Sequence, residues 1–439
     1  LALALAGNAA AATHTVIYSF ASESIGTEPE SPLLIDAGGA VYGVTGFGGG
    51  SGNNGLGWGT IFRLKPSIAG KAEWSFDRLH SFEGGEDGSQ PTGGLVFQGW
   101  SGGLYGVTGG GGRCSGTVGT GCGTVYELTP PQSGHTVWNN NHLYRFGGDG
   151  VADGLVPVGS LIADQNGALY GVTTDGGQRN SQEKGFGTIF KLTAPPLGQG
   201  LWQETVLYRF RNRGDGAFPM SGIVMDKAGT LYGTTNESGA YGNGVVFSLT
   251  PPAGGQTACT ENVLYSFKGK TDGATPFNTP LVLDTTGIIY GATFAGGNTL
   301  AAGYSCGVIL KLTPPATAAS KWTESVLYRF KGNLDGCFPE GPLALTKEGV
   351  LYGATNGGGG SQNAGRGFGT VFELEPPASG HTVWTEAVLY RFKGGSDGSS
   401  PAGGLVTDGA GSFYGTTAFG GPSSGNNGNG WGTVFKLTP

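Results

Sequence analysis

Leu351-Tyr352-Gly353-Ala354-Thr355, answered fourteen residues later by Gly369-Thr370-Val371-Phe372-Glu373-Leu374, decides the fold of this chain. The pair of phrases recurs seven times with small changes. The tyrosines of the first phrase are Tyr42, Tyr105, Tyr170, Tyr232, Tyr290, Tyr352 and Tyr414, spaced 58 to 65 residues apart. A period of that length marks a repeat protein, whose single units are too small to bury their own apolar faces and lean on their neighbours.

Around these phrases the sixth unit shows four short runs: Pro342 to Leu345, Val350 to Thr355, Gly369 to Leu374 and Val388 to Phe392. Most carry β-branched or aromatic side chains, and Gly, Pro, Asp or Asn bound most of them, which is the pattern of strands. No stretch has a capped 3.6-residue apolar period, so the class is all-β. Strands a and b are joined by tight Asp/Gly turns such as Asp408-Gly409-Ala410-Gly411, while b and c are joined by a long glycine-rich loop. Four antiparallel strands per unit, repeated radially, predict a seven-bladed β-propeller, with an open solenoid as the competing geometry.

The two ends favour closure. Gly432 to Pro439 is a strand c with no strand d after it, whereas His14 to Phe20 has the character of a strand d with nothing before it. The N-terminal strand is therefore expected to complete the last blade, one strand from the start joining three from the end and removing exposed sheet edges. The propeller then occupies 14–439 as a single unit. Residues 1–13 form an uncharged Leu/Ala leader, either a secretory signal remnant or a flexible arm, too short to span a bilayer.

Composition narrows the partners. With 24 basic and 31 acidic residues, a formal charge of -7 and no basic stripe, nucleic acid is disfavoured. No window is long and apolar enough for a membrane helix. The 90 glycines lack the every-third-residue period of collagen. Five cysteines point to an oxidising compartment: Cys114 and Cys122 bracket a loop that a disulfide would close, and Cys306 and Cys337 lie on one face of adjacent blades where they would pair. Cys259 is expected to be free and buried, at a position where other units carry tryptophan.

The d strands share Trp-x-Glu-x-Val-Leu-Tyr-x-Phe, at Trp202 to Phe210, Trp322 to Phe330 and Trp384 to Phe392, with Trp74 and Trp138 in more divergent copies. A two-residue period puts Trp, Val, Tyr and Phe on one side, packing between blades. Carbohydrate stacking is the alternative use of the tryptophans.

Candidate functional residues cluster on one face. Asp87, Asp153, Asp215, Asp272, Asp335 and Asp397 each open an Asp-Gly-x-x-Pro connection, broken in the first unit by Ile25-Gly26-Thr27-Glu28-Pro29. Their expected role is in turns, with a carboxylate ring for calcium or another cation as the alternative and no other cofactor expected. The variable b-c loops share this face, and Trp58, Phe186, Arg366, Phe368 and Trp431 are the candidate ligand contacts, a set suited to a polysaccharide or a cell-surface protein. Ordinary solvent loops are the plainer reading. Carboxylates such as Glu28, Asp87, Asp397 or Glu340 would serve a carbohydrate-active enzyme, a glycoside hydrolase or lyase, yet no position is marked as catalytic.

The phrases at 103–108, 169–173 and 432–439 resemble the GloVer-type tandem repeat of bacterial exported proteins, and the resemblance covers about residues 14 to 439. It implies a secreted or cell-surface repeat protein, often carrying one of several C-terminal anchors. It brings no catalytic residue or substrate. The expectation is an exported, non-catalytic scaffold or binding protein acting through its b-c loop face.

Overall fold

The structure, a computed structural model, describes residues 12–439 except 51, 53–54, 68–72, 99–101, 115–120, 133–136, 148–151, 178–184, 197–200, 253–257, 298–304, 318–319, 361–366 and 423–428. The first of its seven antiparallel sheets contains Leu34–Ile35, Val41–Thr45, Thr60–Lys65 and Ser75–Ser81, in that order from the axis outward. Six sheets have four strands; in the second blade the inner strand is split into Ser89–Pro91 and Val96–Gln98. Together they form a seven-bladed β-propeller. Thr13–Ser19 pairs antiparallel with Thr433–Thr438, so the N-terminal strand supplies the outer edge of the seventh blade.

The repeated phrases are the middle of each blade. Gly353 lies opposite Phe372 in the sheet, and a Cβ at Gly353 would stand 2.5 Å from the Phe372 ring and 2.8 Å from Leu343. Only glycine lets the strand-c ring lie flat across strand b. The tyrosine before it anchors the a-b turn: Tyr42 donates to Asp36, Tyr170 to Asp164 and Tyr232 to Asp226, at 3.0, 3.0 and 3.1 Å. Where that aspartate is missing, Tyr352 turns to Glu373 at 2.8 Å.

Blades are joined by a repeated aromatic step. Phe20, Phe82, Phe146, Phe210, Phe330 and Phe392, which close the outer strands, meet Phe62, Tyr126, Phe190, Phe247, Phe372 and Phe435 of the next blade edge to face, at 5.2 to 5.3 Å. Each such pair adds about 0.5 to 1.5 kcal/mol beyond the area it buries. At the remaining junction Phe267 packs in one cluster with Leu310.

The outer strands differ from the expectation of a single aromatic side. A β-bulge between Val388 and Tyr390 reverses the alternation, so that Tyr390 lies opposite Val371 while Val388 lies opposite Phe372. Trp384 therefore faces the preceding blade, 6.5 Å from Tyr290, whereas Phe392 faces the following one. The same shift recurs at Val16/Tyr18. A strict two-residue period cannot register the extra residue. Trp322 and Trp74 pack likewise against Tyr232 and Tyr414 of their preceding blades.

Cys114–Cys122 and Cys306–Cys337 are disulfides, the second bridging adjacent blades. Cys259 is free but only half-buried, a correction to the buried site expected for it; the position itself lies at the outer edge of the blade, where Trp202, Trp322 and Trp384 are half-buried as well. Burial still pushes its thiol above the ordinary range. Among the described residues, no helix is long and apolar enough to cross a membrane.

Candidate functional site

The Asp-Gly-x-x-Pro connections build the rim of the central channel. Asp215 accepts from the Tyr208 hydroxyl at 2.9 Å and from the Arg211 amide at 3.0 Å; Asp335 does the same with Tyr328 at 2.8 Å and Lys331 at 3.0 Å. The glycine that follows rests on a buried threonine pair: a Cβ at Gly336 would stand 2.4 Å from Thr355 Oγ1, which is 2.8 Å from Thr370 Oγ1. Each aspartate thus holds its own turn. Among the described residues, no three His, Cys, Asp or Glu side chains come together as cation ligands.

The residue before each proline is left-handed in all seven copies. Glu28, Gln90, Val156, Phe218, Thr275, Phe338 and Ser400 have φ between 52 and 63°. Such backbone costs about 1 to 3 kcal/mol per residue and persists only where its surroundings enforce it. The enforcing contact is a hydrogen bond to the neighbouring b-c loop: Glu28 N to Trp431 O at 3.2 Å, Gln90 N to Trp58 O at 2.8 Å, Val156 N to Cys122 O at 2.9 Å and Ser400 N to Phe368 O at 2.9 Å. Phe186, Asn243 and Cys306 accept from the remaining three.

Those loop positions include four of the five aromatic and basic candidates. Trp58 and Phe186 are buried, at 6 and 8% exposure, so their rings offer no open stacking face; Trp431 is half-buried and Phe368 is 49% exposed. The same position is Cys122 in the second blade and Cys306 in the fifth, both disulfide-bonded. A disulfide stands there in place of a ring. Arg366 and the centres of most b-c loops lie outside the described residues.

The channel mouth is a cavity of about 400 Å³ on the propeller axis, lined by six of the seven blades. Its walls are the residues flanking the prolines: Glu28, Glu30, Gln90, Thr92, Val156, Val158, Met220, Phe277 and Glu340, with Asn278 and Phe47. Below them the inner strands close up; a Cβ at Gly159 would stand 2.4 Å from the Gly222 nitrogen. Glu340 is buried and accepts from Asn278 at 3.1 Å and Asn356 at 3.0 Å. Desolvation raises its carboxyl above the usual range against those two donors. Glu30, crowded by protein yet open to the cavity, is pushed up to about 7 by burial first, then by Glu340 and Glu28. Burial raises Glu28 as well.

Of the sequence candidates, Glu28 and Glu340 meet in this cavity, whereas Asp87 and Asp397 are held at separate blade junctions by His80 and Tyr390. Glu30, Thr92, Val158, Met220 and Phe277 were not singled out. The signal for them was available: across the seven copies, the positions on either side of the proline differ while that Pro and the Gly of the same connection repeat.

A repeat-built propeller with a ligand-sized cavity at one channel mouth is the class that fold and site define. The Gloeobacter/Verrucomicrobia repeat matches residues 6–183, 118–304 and 257–439, and the chain belongs to that family. No curated protein matches it in sequence. Similar solved structures include a PQQ-bound aldose sugar dehydrogenase from Streptomyces coelicolor, 12% identical over 97% of this chain and 98% of that one, TM-score 0.47. A luciferin-regenerating enzyme is 11% identical over 98% and 95% of the two chains, TM-score 0.45. A gluconolactonase from Xanthomonas campestris is 12% identical over 78% and 85%, TM-score 0.38. At these values the likeness carries no functional argument.

Proposed function

We propose that this chain is an exported, non-catalytic binding protein that takes its ligand at the channel mouth, with the variable b-c loops forming an outer rim. One observation carries the reading: the positions that wall the cavity are the ones that differ from blade to blade, while the Asp, Gly, Tyr and Thr groups that shape the connections repeat. Variable side chains on a repeated rigid frame are how a scaffold acquires specificity. The polysaccharide or protein expected from the loop residues would present an end group to the well and lie against Phe368 outside it. Two disulfides support an extracytoplasmic location. A glycan array and a peptide pulldown, run with the native protein and with Thr92→Trp to fill the well, test this. Binding that ignores Thr92→Trp, or no binding in either screen, would sink it.

A catalytic reading has one observation in its favour: Glu30 and Glu340 face one cavity, where the raised Glu30 carboxyl keeps the proton a general acid needs and Glu340, held by two asparagine amides, stands as its partner. Turnover of a polysaccharide that disappears in Glu30→Gln and Glu340→Gln would establish it. Turnover that survives both would refute it.

A further inference from the structure

We propose that the well at the channel mouth takes a small organic cation, an ammonium group carried on an apolar body. The proposal rests on the preceding reading of the channel as the ligand site and assigns that site a small molecule in place of a polymer.

The cavity has two unlike sides. Glu28, Glu30 and Glu340 come from the first and sixth blades, which flank the seventh and so occupy one arc of the wall. Val158, Met220 and Phe277 come from the third, fourth and fifth blades on the opposite arc. No Lys, Arg or His is among the lining residues, and no ion pair to any of the three glutamates occurs among the described residues. The two asparagine amides on Glu340 position its carboxyl without bringing a positive charge.

Three acids along one arc of the well, with no basic side chain in its lining, make the potential at the channel mouth negative. An anion is therefore repelled, and a neutral ligand leaves the acids uncompensated. A hard metal ion wants six to eight oxygens, and the described side chains do not gather even three suitable groups. An organic ammonium satisfies both arcs: its charge lies against the glutamates, and its apolar body covers Val158, Met220 and the part-exposed ring of Phe277. The volume, about 400 Å³, is at the small end for ligand pockets, which favours a free amine over a polymer segment.

Binding is then coupled to a proton. The groups facing Glu30 are Glu28 and Glu340, both acids, so an arriving cation displaces the proton that Glu30 holds near neutral pH. Affinity rises from pH 6 to pH 8.

Calorimetry with benzylamine, and with benzyl alcohol as its neutral counterpart, at pH 7.5 and low salt tests the class. The amine is expected to bind at least about tenfold more tightly than the alcohol, to lose about tenfold in Glu30→Gln, and to be excluded by Thr92→Trp in protein shown to be folded by its circular dichroism. A tetramer of glucosamine, set against its N-acetylated form, separates sources: tighter binding than benzylamine would move the ammonium onto a polysaccharide and overturn the small-molecule proposal. If alcohol and amine bind equally, or Glu30→Gln leaves the amine unaffected, the cation class fails while exclusion by Thr92→Trp preserves the channel reading. If no probe binds in the millimolar range, the small-cation class fails and the glycan and peptide screens decide the channel reading; if binding survives Thr92→Trp, both fail together.

Discussion

The hydroxyl of Tyr328 donates to Asp335 at 2.8 Å. At 3.3 Å from the same hydroxyl stands Glu386 of the next blade, so one phenol lies between two carboxyls across a blade junction. Tyr208, Asp215 and Glu261 repeat the arrangement, and Asp272 is the charge that acts most strongly on Glu324. At the closing junction His14 takes the place of the glutamate, stacked 4.0 Å from Tyr390 and 3.5 Å from Asp397.

These junctions make stability depend on pH. Burial first, then the neighbouring aspartate, pushes Glu261, Glu324 and Glu386 up to about 7 from 4.5. A raised carboxyl favours the folded state most when protonated, so its contribution is complete below about pH 4.5 and is lost as pH rises through 7. His14 and His142, lowered by burial, act in the opposite sense as pH falls below 6.5, but they are two groups against these three and the raised Glu28, Glu30 and Glu340 of the channel mouth. The melting temperature is expected to be higher at pH 5.5 than at pH 8. The triple variant Glu261→Gln, Glu324→Gln, Glu386→Gln should raise it at pH 8 and leave it nearly unchanged at pH 5.5; an equal change at both values would dismiss the explanation.

Adding one methyl at the centre of a blade should be costly. In Gly353→Ala the new carbon meets the Phe372 ring and Leu343, both packed in the core. Overpacking of this kind costs about 1 to 3 kcal/mol. Urea unfolding should show that loss, while Gly380→Ala, where a Cβ meets nothing within 4 Å, pays only for its positive φ of 86°.

The inter-blade disulfide should matter more than the loop disulfide. Cys306–Cys337 spans 31 residues and Cys114–Cys122 spans 8. Chain entropy alone gives roughly 3 to 4 and 2 to 3 kcal/mol respectively. Paired Cys→Ala variants, compared by denaturant midpoint, should rank in that order.

Removing residues 12–20 should open the ring. Thr433–Thr438 then becomes an edge strand with unpaired backbone groups, a template for association. Size-exclusion chromatography is expected to show oligomers, and a peptide of residues 12–20 added in trans should restore the monomer. A truncated chain that stays monomeric and equally stable would rule out the latch.

The blade count, strand order and latch were legible because they depend on local alternation and on a period repeated seven times. The bulge was not, since one extra residue such as Leu389 leaves no mark in composition. The channel walls were hidden for a different reason: that Thr92, Val158 and Met220 share a cavity follows from closure of the ring, which brings together residues about sixty positions apart. Trp58 and Phe186 misled because an aromatic in a glycine-rich loop looks exposed until the next blade's backbone is seen to cover it.

The pairing of Thr13–Ser19 with Thr433–Thr438 also sets an order in time. During synthesis the first strand of the propeller emerges with no partner and must wait for the last one. Closing a segment of this length carries roughly 5 kcal/mol of loop entropy, which is recovered only when the seventh blade docks. Six blades can stack as they are made, but the finished ring cannot exist until the whole repeat array has left the ribosome. Until then the two ends of the chain stay free of one another.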